Sequence, residues 1–240
     1  MTADGMPEFF QSFLVFAALA VGIVIAIYSY LAAEKRRKEL HELADSLGLS
    51  FRAHPGGIHD RYRAFTPLDR GHSRKSANLI EGMRNGIRWE MFDFRYTTGS
   101  GKNQQTHRVG VVIATVPIAL PRLRMRPEGI FDKLAAAVGF DDINFESDEF
   151  SRRYHVSSCD RKLAYDLLHP QMIEYLLTLP RYDWQLAGPV ILIWNTSRYR
   201  PSELPLVMSA IEGFVDRIPE YVREDLGVGK SSDAARRITG

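Results

Sequence analysis

The hydrophobic and polar positions follow different periods in different parts of the chain. From Phe9 to Ala33 there are 25 residues without a charge, and Phe13–Leu31 is almost wholly apolar. As a helix this run extends ~37 Å, which exceeds the hydrocarbon thickness of ~30 Å. A core helix of a soluble protein would carry polar residues at every third or fourth position, and this run does not. The pattern therefore predicts one transmembrane helix.

The flanks of this run predict how it sits in a membrane. A cleaved signal peptide needs a basic start and a short apolar core, whereas here Asp4 and Glu8 precede a long one. The basic cluster Lys35–Lys38 follows it, and positive flanks stay in the cytoplasm. Tyr28 and Tyr30 then lie near the inner boundary, where aromatic side chains concentrate. We predict a single-pass protein of the inner (plasma) membrane, with residues 1–33 forming the exterior N-terminus and the membrane helix.

The helical period continues beyond the basic cluster. Leu40, Leu43, Ala44 and Leu47 fall on one helical face, and Gly48 follows as a plausible C-terminal cap. We therefore expect the anchor to run into the soluble domain without a flexible linker. That domain is predicted to span residues 34–226 on the cytoplasmic side, followed by a flexible tail at 227–240.

The next part of the chain changes to a period of two. Asn78–Met83 and Ile87–Tyr96 flank Asn85-Gly86, a strong hairpin signal, and Thr106–Val116 reads as a long third strand. Further strands are predicted at Leu49–Ala53, Pro121–Arg126, Asp142–Ser147, Arg153–Ser157 and around Gly188. Helices are predicted at Ile130–Val138, from an Asp160 or Ser158 cap to Leu168, from Pro170 onward, and from a Ser202 cap to an interruption at Pro219. The fold class is α+β, an N-terminal transmembrane helix followed by a largely antiparallel sheet with packed helices.

Asp93 is the one aspartate within an aromatic strand. Period two places Trp89, Met91, Asp93 and Arg95 on one face of that strand, opposite Phe92 and its neighbours. Trp and Met are costly to leave exposed together. We therefore expect another element of this chain to cover Asp93, with Arg95 as the candidate ion-pair partner.

Composition narrows the function without assigning one. The chain is 45% hydrophobic and 25% charged, and its net charge of +2 is too balanced to indicate nucleic-acid binding. Cys159 is the only cysteine, which excludes an intrachain disulfide and a cysteine-based zinc site. The sequence carries no catalytic, cofactor or metal signature, and no motif fixes an oligomeric state.

Three functional interpretations stay open. The first is a membrane-tethered binding or scaffold module with an unidentified protein partner, held in the bilayer through residues 9–33. The second is a membrane-anchored, hydrolase-like enzyme with a site in loops 54–75 and 97–105, where His, Arg, Ser and Asp collect. The third is a sensor of anionic lipid that uses the arginines of residues 52–75 and headgroup contacts from the basic cluster: Lys35, Arg36, Arg37 and Lys38. The lack of a chemical signature favours a non-enzymatic module.

Several short motifs carry a resemblance. They are Phe92-Asp93-Phe94-Arg95-Tyr96, the loop Gly99–Lys102, Arg126-Pro127-Glu128-Gly129 and Phe145-Glu146-Ser147-Asp148-Glu149-Phe150. In these motifs and their order, the chain resembles a family of uncharacterised bacterial membrane-anchored proteins with one N-terminal transmembrane helix, over roughly residues 35–200. The resemblance implies a bacterial source and a tethered domain, and it brings no catalytic residue with it.

Overall fold

A long N-terminal helix opens the fold. The computed structural model describes residues 8–128, 141–143 and 145–227. Helix α1 (Glu8–Leu47) has 40 residues and passes without a break from the apolar run into the domain. It is long and apolar enough to cross a membrane, and its apolar window is not buried by the rest of the chain. Gly48 ends it at φ +69°, so the predicted continuity and the predicted cap are both confirmed.

A seven-stranded sheet forms the centre of the domain. Its strands are β1 (Ser50–Arg52), β2 (His72–Arg84), β3 (Ile87–Thr98), β4 (Gln105–Pro127), β5 (Asp141–Ile143), β6 (Tyr154–Ser158) and β7 (Asp183–Asn195). They run in the order β1-β2-β3-β4-β6-β5, with β7 paired to β4. Each described pairing is antiparallel, which confirms the predicted fold class.

The predicted hairpin joins β2 to β3. Arg84 pairs with Ile87, which leaves Asn85 and Gly86 as a two-residue turn. Both turn residues have positive φ, 52° and 74°, as the twist-matched hairpin turn requires. The prediction from the Asn-Gly pair is confirmed.

Strand β4 differs from the prediction of two separate strands. It continues for 23 residues through Pro117 and Pro121. The pairing with β7 shifts register between Thr115 and Leu120 and again before Leu123, so the missing proline N–H groups fall where the ladder is already irregular. Strand β3 borders the first half of β4 and β6 borders the second. One long strand thus holds both halves of the sheet together.

The segment predicted as the strand Asp142–Ser147 is also different. Its strand, β5, ends at Ile143, and helix α2 (Asp148–Arg153) begins after Ser147, whose hydroxyl accepts the Phe150 N–H. The serine cap competes successfully with the strand pattern. The predicted helix Ile130–Val138 and tail residues 228–240 lie outside the described residues.

Four further helices lie in the described part of the domain. They are α3 (Arg161–Leu167), α4 (Pro170–Thr178), α5 (Leu204–Asp216) and α6 (Glu220–Gly227). Of the two predicted caps, it is Asp160 that caps α3, by accepting the Leu163 N–H. Ser202 lies instead in a 3₁₀ turn, Pro201–Glu203, and α5 starts after it. Pro219 separates α5 from α6, as its lack of an N–H predicts.

Both faces of the sheet are covered, by different kinds of structure. On one face Trp89, Met91 and Val112 pack with helix residues that include Leu40, Ala44 and Phe214. On the opposite face the aromatic side chains of β3 pack against a covering loop, residues 54–71, through Ile58, Tyr62, Phe65 and Leu68. The end of α1 therefore belongs to the domain core, while its apolar start stays outside it.

Candidate functional site

An ion pair fixes α1 to the sheet. Arg36 Nε and Nη2 donate to the two carboxylate oxygens of Asp93 at 2.8 and 2.6 Å, the bidentate geometry that suits guanidinium and carboxylate. The side chains are only 16% and 11% exposed. Asn78 Nδ2 donates to the same carboxylate at 2.8 Å, and Arg198 Nη1 lies 4.0 Å from it. We call Arg36, Asp93 and Asn78 the helix clamp.

A glycine allows the backbone to complete the helix clamp. Arg36 Nη2 also donates to the Tyr199 carbonyl at 2.9 Å. Tyr199 passes directly over Gly110, the residue that pairs with Asp93 across β3 and β4. A Cβ added to Gly110 would lie 2.7 Å from the Tyr199 nitrogen and 2.5 Å from its ring. The absent side chain thus lets the chain after β7 reach Arg36.

The structure confirms one part of the Asp93 prediction and corrects another. Trp89, Met91 and Asp93 are buried, and the covering element is a helix of this chain. The partner is Arg36 and not Arg95, since α1 supplies the guanidinium from 57 positions away. The spacing of Arg36, Leu40 and Ala44 at intervals of four is the signal that could have identified it, because it places Arg36 on the buried stripe of α1.

The residues of the basic cluster lie in two different environments. Arg36 is engaged in the helix clamp, whereas the side chains of Lys35 and Lys38 are 79% and 78% exposed. Arg37 bonds Glu34 at 3.1 Å on the helix surface. The predicted headgroup contacts Lys35, Arg37 and Lys38 therefore stay accessible, while the guanidinium of Arg36 is used inside the protein.

Polar contacts hold the covering loop on the sheet. Buried Glu90 of β3 accepts from Arg61 at 2.5 Å and from the Tyr62 hydroxyl. Burial, followed by the adjacent Glu90 carboxylate, raises the pKa of Tyr62. Gln185 of β7 accepts the Thr66 N–H at 3.0 Å and donates to the Thr66 carbonyl at 2.7 Å. The loop that the sequence left without secondary structure is thereby fixed at several points along its length.

An open cleft lies where the covering loop meets the start of β2. Its volume is about 710 Å³, within the range of small-molecule sites. Three cations line it, Arg63, Arg74 and Lys75, and Asp60 is its one carboxylate. The remaining lining residues are glycines, serines and histidines: His54, Gly56, Gly57, His59, Gly71, His72, Ser73 and Ser76. We call this the basic cleft.

Two polar side chains of the basic cleft, His59 and Ser76, form a hydrogen-bonded pair of an imidazole and a hydroxyl. His59 Nδ1 lies 2.8 Å from the Ser76 hydroxyl, and its Nε2 lies 3.7 Å from Asp60 Oδ1. Burial lowers the pKa of His59, which keeps the ring neutral and able to accept a hydroxyl proton near neutral pH. Asp60 is itself held by Arg63 at 2.6 and 2.9 Å, and this bond lowers the pKa of Asp60.

The two loops predicted as an enzymatic site do meet. His72 Nε2 lies 3.1 Å from the Gly99 carbonyl, which joins the start of β2 to the 97–105 loop. The cleft itself is lined by the first of these loops and the start of β2. Within the described residues, His, Cys, Asp and Glu side chains form no group of three that could hold a metal ion.

Comparisons with known proteins give a likeness of fold. No protein-family model matches the chain, and no curated protein matches it. The chain is similar to the crystal structure of the mycobacterial trehalose monomycolate transport factor A, TtfA, with a TM-score of 0.60 and 12% sequence identity. The match covers 78% of this chain and 95% of that one. At this identity the likeness shows the fold and does not transfer residue roles.

Proposed function

We propose that this protein is a single-pass, membrane-anchored binding module whose α+β domain is held in a fixed orientation at the cytoplasmic face. The observation that carries the proposal is the continuity of α1. One helix leaves an exposed apolar segment and enters the domain core, where Leu40 is 2% exposed and Ala44 is fully buried. The helix clamp then fixes its rotation against β3. A tether that served only to keep a domain nearby would not need this rigid join.

The fold likeness supports a non-enzymatic role. TtfA is described as a transport factor, and a fold of this kind is compatible with an accessory protein at a membrane. The exposed apolar side chains of the C-terminal helices offer places for a protein partner: Leu206 is 61% exposed and Tyr221 is 53% exposed. We infer that the domain binds a protein partner beside the bilayer.

The single cysteine provides a direct test of anchoring and orientation. Cys159 is exposed on the domain. In intact bacterial cells that express the full chain, a membrane-impermeant maleimide should leave Cys159 unlabelled, and it should label Cys159 once the inner membrane is opened. In a Cys159→Ser background, Thr2→Cys should be labelled in intact cells. Labelling of Cys159 before lysis would reverse the orientation, and recovery of the chain in the alkaline-soluble fraction would refute the anchor.

Partner binding needs a separate experiment. A photo-crosslinking residue at position 206 or 221 should give a discrete adduct with one protein in living cells. The same residue at position 102, in the loop before β4, serves as the control on another surface of the domain. Absence of an adduct at all three positions would contradict a scaffold role.

A second candidate function rests on the His59–Ser76 pair. A neutral imidazole that accepts the Ser76 proton can activate the hydroxyl for attack on an ester, which fits a hydrolase-like enzyme at the basic cleft. Turnover of p-nitrophenyl acetate by the full chain in detergent tests it, with Ser76→Ala expected to abolish the reaction. Equal turnover by the two proteins, or none by the parent, would eliminate this candidate.

A further inference from the structure

The basic cleft has an excess of positive charge that the described part of the protein does not neutralise. Its three cations face one carboxylate, and Arg63 already pairs with that carboxylate. Among the described residues, Arg74 donates to the Asp69 carbonyl, at 3.3 Å. Among the described residues, no carboxylate lies within ion-pair distance of Arg74 or Lys75. Such a concave group of cations attracts an anion.

The backbone of β2 is irregular at this position. In a regular strand adjacent residues point to opposite faces. Here the register shifts between His72 and Lys75, and all residues from Gly71 to Ser76 line the cleft. Ser73 has a φ of 52°, a conformation that costs a non-glycine residue of order 1 kcal/mol. Bulges of this kind are frequent next to functional sites, where they redirect side chains.

The chemistry of the lining suits a phosphate. Arg74 and Lys75 supply positive charge and N–H donors. The glycines at 56, 57 and 71 leave backbone accessible along the rim.

The position of the cleft along α1 indicates which phosphate it meets. Arg84 of β2 donates to the Leu47 carbonyl at the end of α1, and Ala77 pairs with Asp93, which binds Arg36. The path along β2 from Arg84 to Ala77 therefore runs in the same direction as the path along α1 from Leu47 towards its apolar segment. Arg74 lies three residues beyond Ala77, about 10 Å of strand. Between these two contacts about 23 Å of strand accompanies about 17 Å of helix, so 10 Å of strand corresponds to about 7 Å of α1 and reaches the level of about Leu31.

We propose that the basic cleft binds a phosphate ester group, and that its natural source is the headgroup of an anionic phospholipid in the leaflet beside the domain. Leu31 ends the apolar run Phe13–Leu31 and follows Tyr28 and Tyr30, where the inner boundary of the membrane helix is predicted. The basic cleft then lies at the level of the lipid headgroups, where anionic lipids attract cationic side chains. The headgroup assignment rests on the proposed anchoring, whereas phosphate binding by the cleft does not.

The test uses the full chain and matched variants. Arg74→Gln/Lys75→Gln removes the two cations that have no carboxylate within ion-pair distance among the described residues, and Arg74→Lys/Lys75→Arg keeps their charge. Arg161→Gln/Lys162→Gln removes a similar adjacent pair from the exposed start of α3, as a control. Each protein is titrated with inorganic phosphate in detergent and followed by thermal unfolding. The cleft variant should bind phosphate at least about tenfold more weakly than the parent, because it lacks the two cations that attract the anion. The other two variants should match the parent.

Nanodiscs then separate the two sources of phosphate. In discs of phosphatidylcholine alone, phosphate should shift the unfolding temperature, whereas discs that also contain phosphatidylglycerol should remove this shift because the cleft is already occupied. An unchanged shift in those discs would overturn the headgroup assignment. Equal losses in the cleft and α3 variants, or no phosphate binding by the parent, would overturn the cleft itself. Failure of the chain to enter discs would refute the anchor, and the detergent titration would still decide phosphate binding.

Discussion

Removing the charge of Asp93 tests the join between helix and domain. In Asp93→Asn the side chain keeps its shape, but Arg36 loses the anion that accepts two of its N–H groups at 2.6 and 2.8 Å. Breaking a fully buried pair costs about 3–5 kcal/mol, whereas an exposed pair is worth ~1 kcal/mol or less. The clamp side chains are 16% and 11% exposed, and the Tyr199 carbonyl still accepts from Arg36. We therefore expect a loss of about 2–4 kcal/mol in the free energy of unfolding.

Urea unfolding of the full chain in mild detergent measures this loss. The three tryptophans, Trp89, Trp184 and Trp194, are all buried in the domain, so their fluorescence reports its unfolding and not that of the membrane helix.

A matched exposed pair is the control. Glu34→Gln removes the partner of Arg37 on the same helix, where the side chains are 57% and 36% exposed, and it should cost less than ~1 kcal/mol. Arg36→Met combined with Asp93→Asn should be more stable than the sum of the single losses by about 1.5 kcal/mol or more. Equal stability of the Asp93→Asn and Glu34→Gln proteins, or a coupling energy near zero, would refute the reasoning.

Three further predictions concern the sheet and the loop that covers it. Gly86→Val should lower the free energy of unfolding by about 1 kcal/mol or more through backbone conformation alone, because open space surrounds the new Cβ; an unchanged urea midpoint would contradict this. Gly110→Ala should destabilise by a different route, a clash with Tyr199, and its loss should shrink when Asp93 is already Asn because both changes affect the same clamp. Burial lowers the pKa of His59, so the unfolded chain binds more protons than the folded chain below pH 6.5. The free energy of unfolding should therefore fall as the pH drops from 6.5 towards that lowered pKa. His59→Gln should flatten this pH dependence, whereas His54→Gln should leave it unchanged.

The features that the sequence predicts correctly are those set by neighbouring residues. Three such features depend on a few adjacent positions and can be predicted from local chemistry: the Asn85-Gly86 turn, the Asp160 cap and the uninterrupted α1. The sequence predicts Thr106–Val116 and Pro121–Arg126 as separate strands. The register irregularities that allow one strand to continue through Pro117 and Pro121 come from pairing with β7, far along the chain. Local preference is overruled there by pairing.

The candidate site is harder to predict from the sequence, because its contacts join residues that are far apart in the chain. Arg36 and Asp93 are 57 positions apart, and Gln185 contacts Thr66 across 119. Loop 54–71 has little periodicity of its own. Its position on the sheet depends instead on contacts with buried Glu90 and Gln185. The sequence does place His, Arg and Ser in this region. It does not show that a bulge at Ser73 directs them into one cleft, since that depends on the pairing of β2 with β3.

The rigid α1 has a mechanical consequence for the whole molecule. The 25 uncharged residues extend ~37 Å, and a straight rod of that length fits a hydrocarbon layer of ~30 Å when it leans by about 35° from the bilayer normal. In the proposed membrane-anchored arrangement the domain leans by the same angle, because no hinge separates it from this rod, and one of its sides moves towards the lipid surface. A thicker bilayer would bring the rod upright and lift that side again. The distance between the domain and the lipid therefore varies with the local thickness of the membrane.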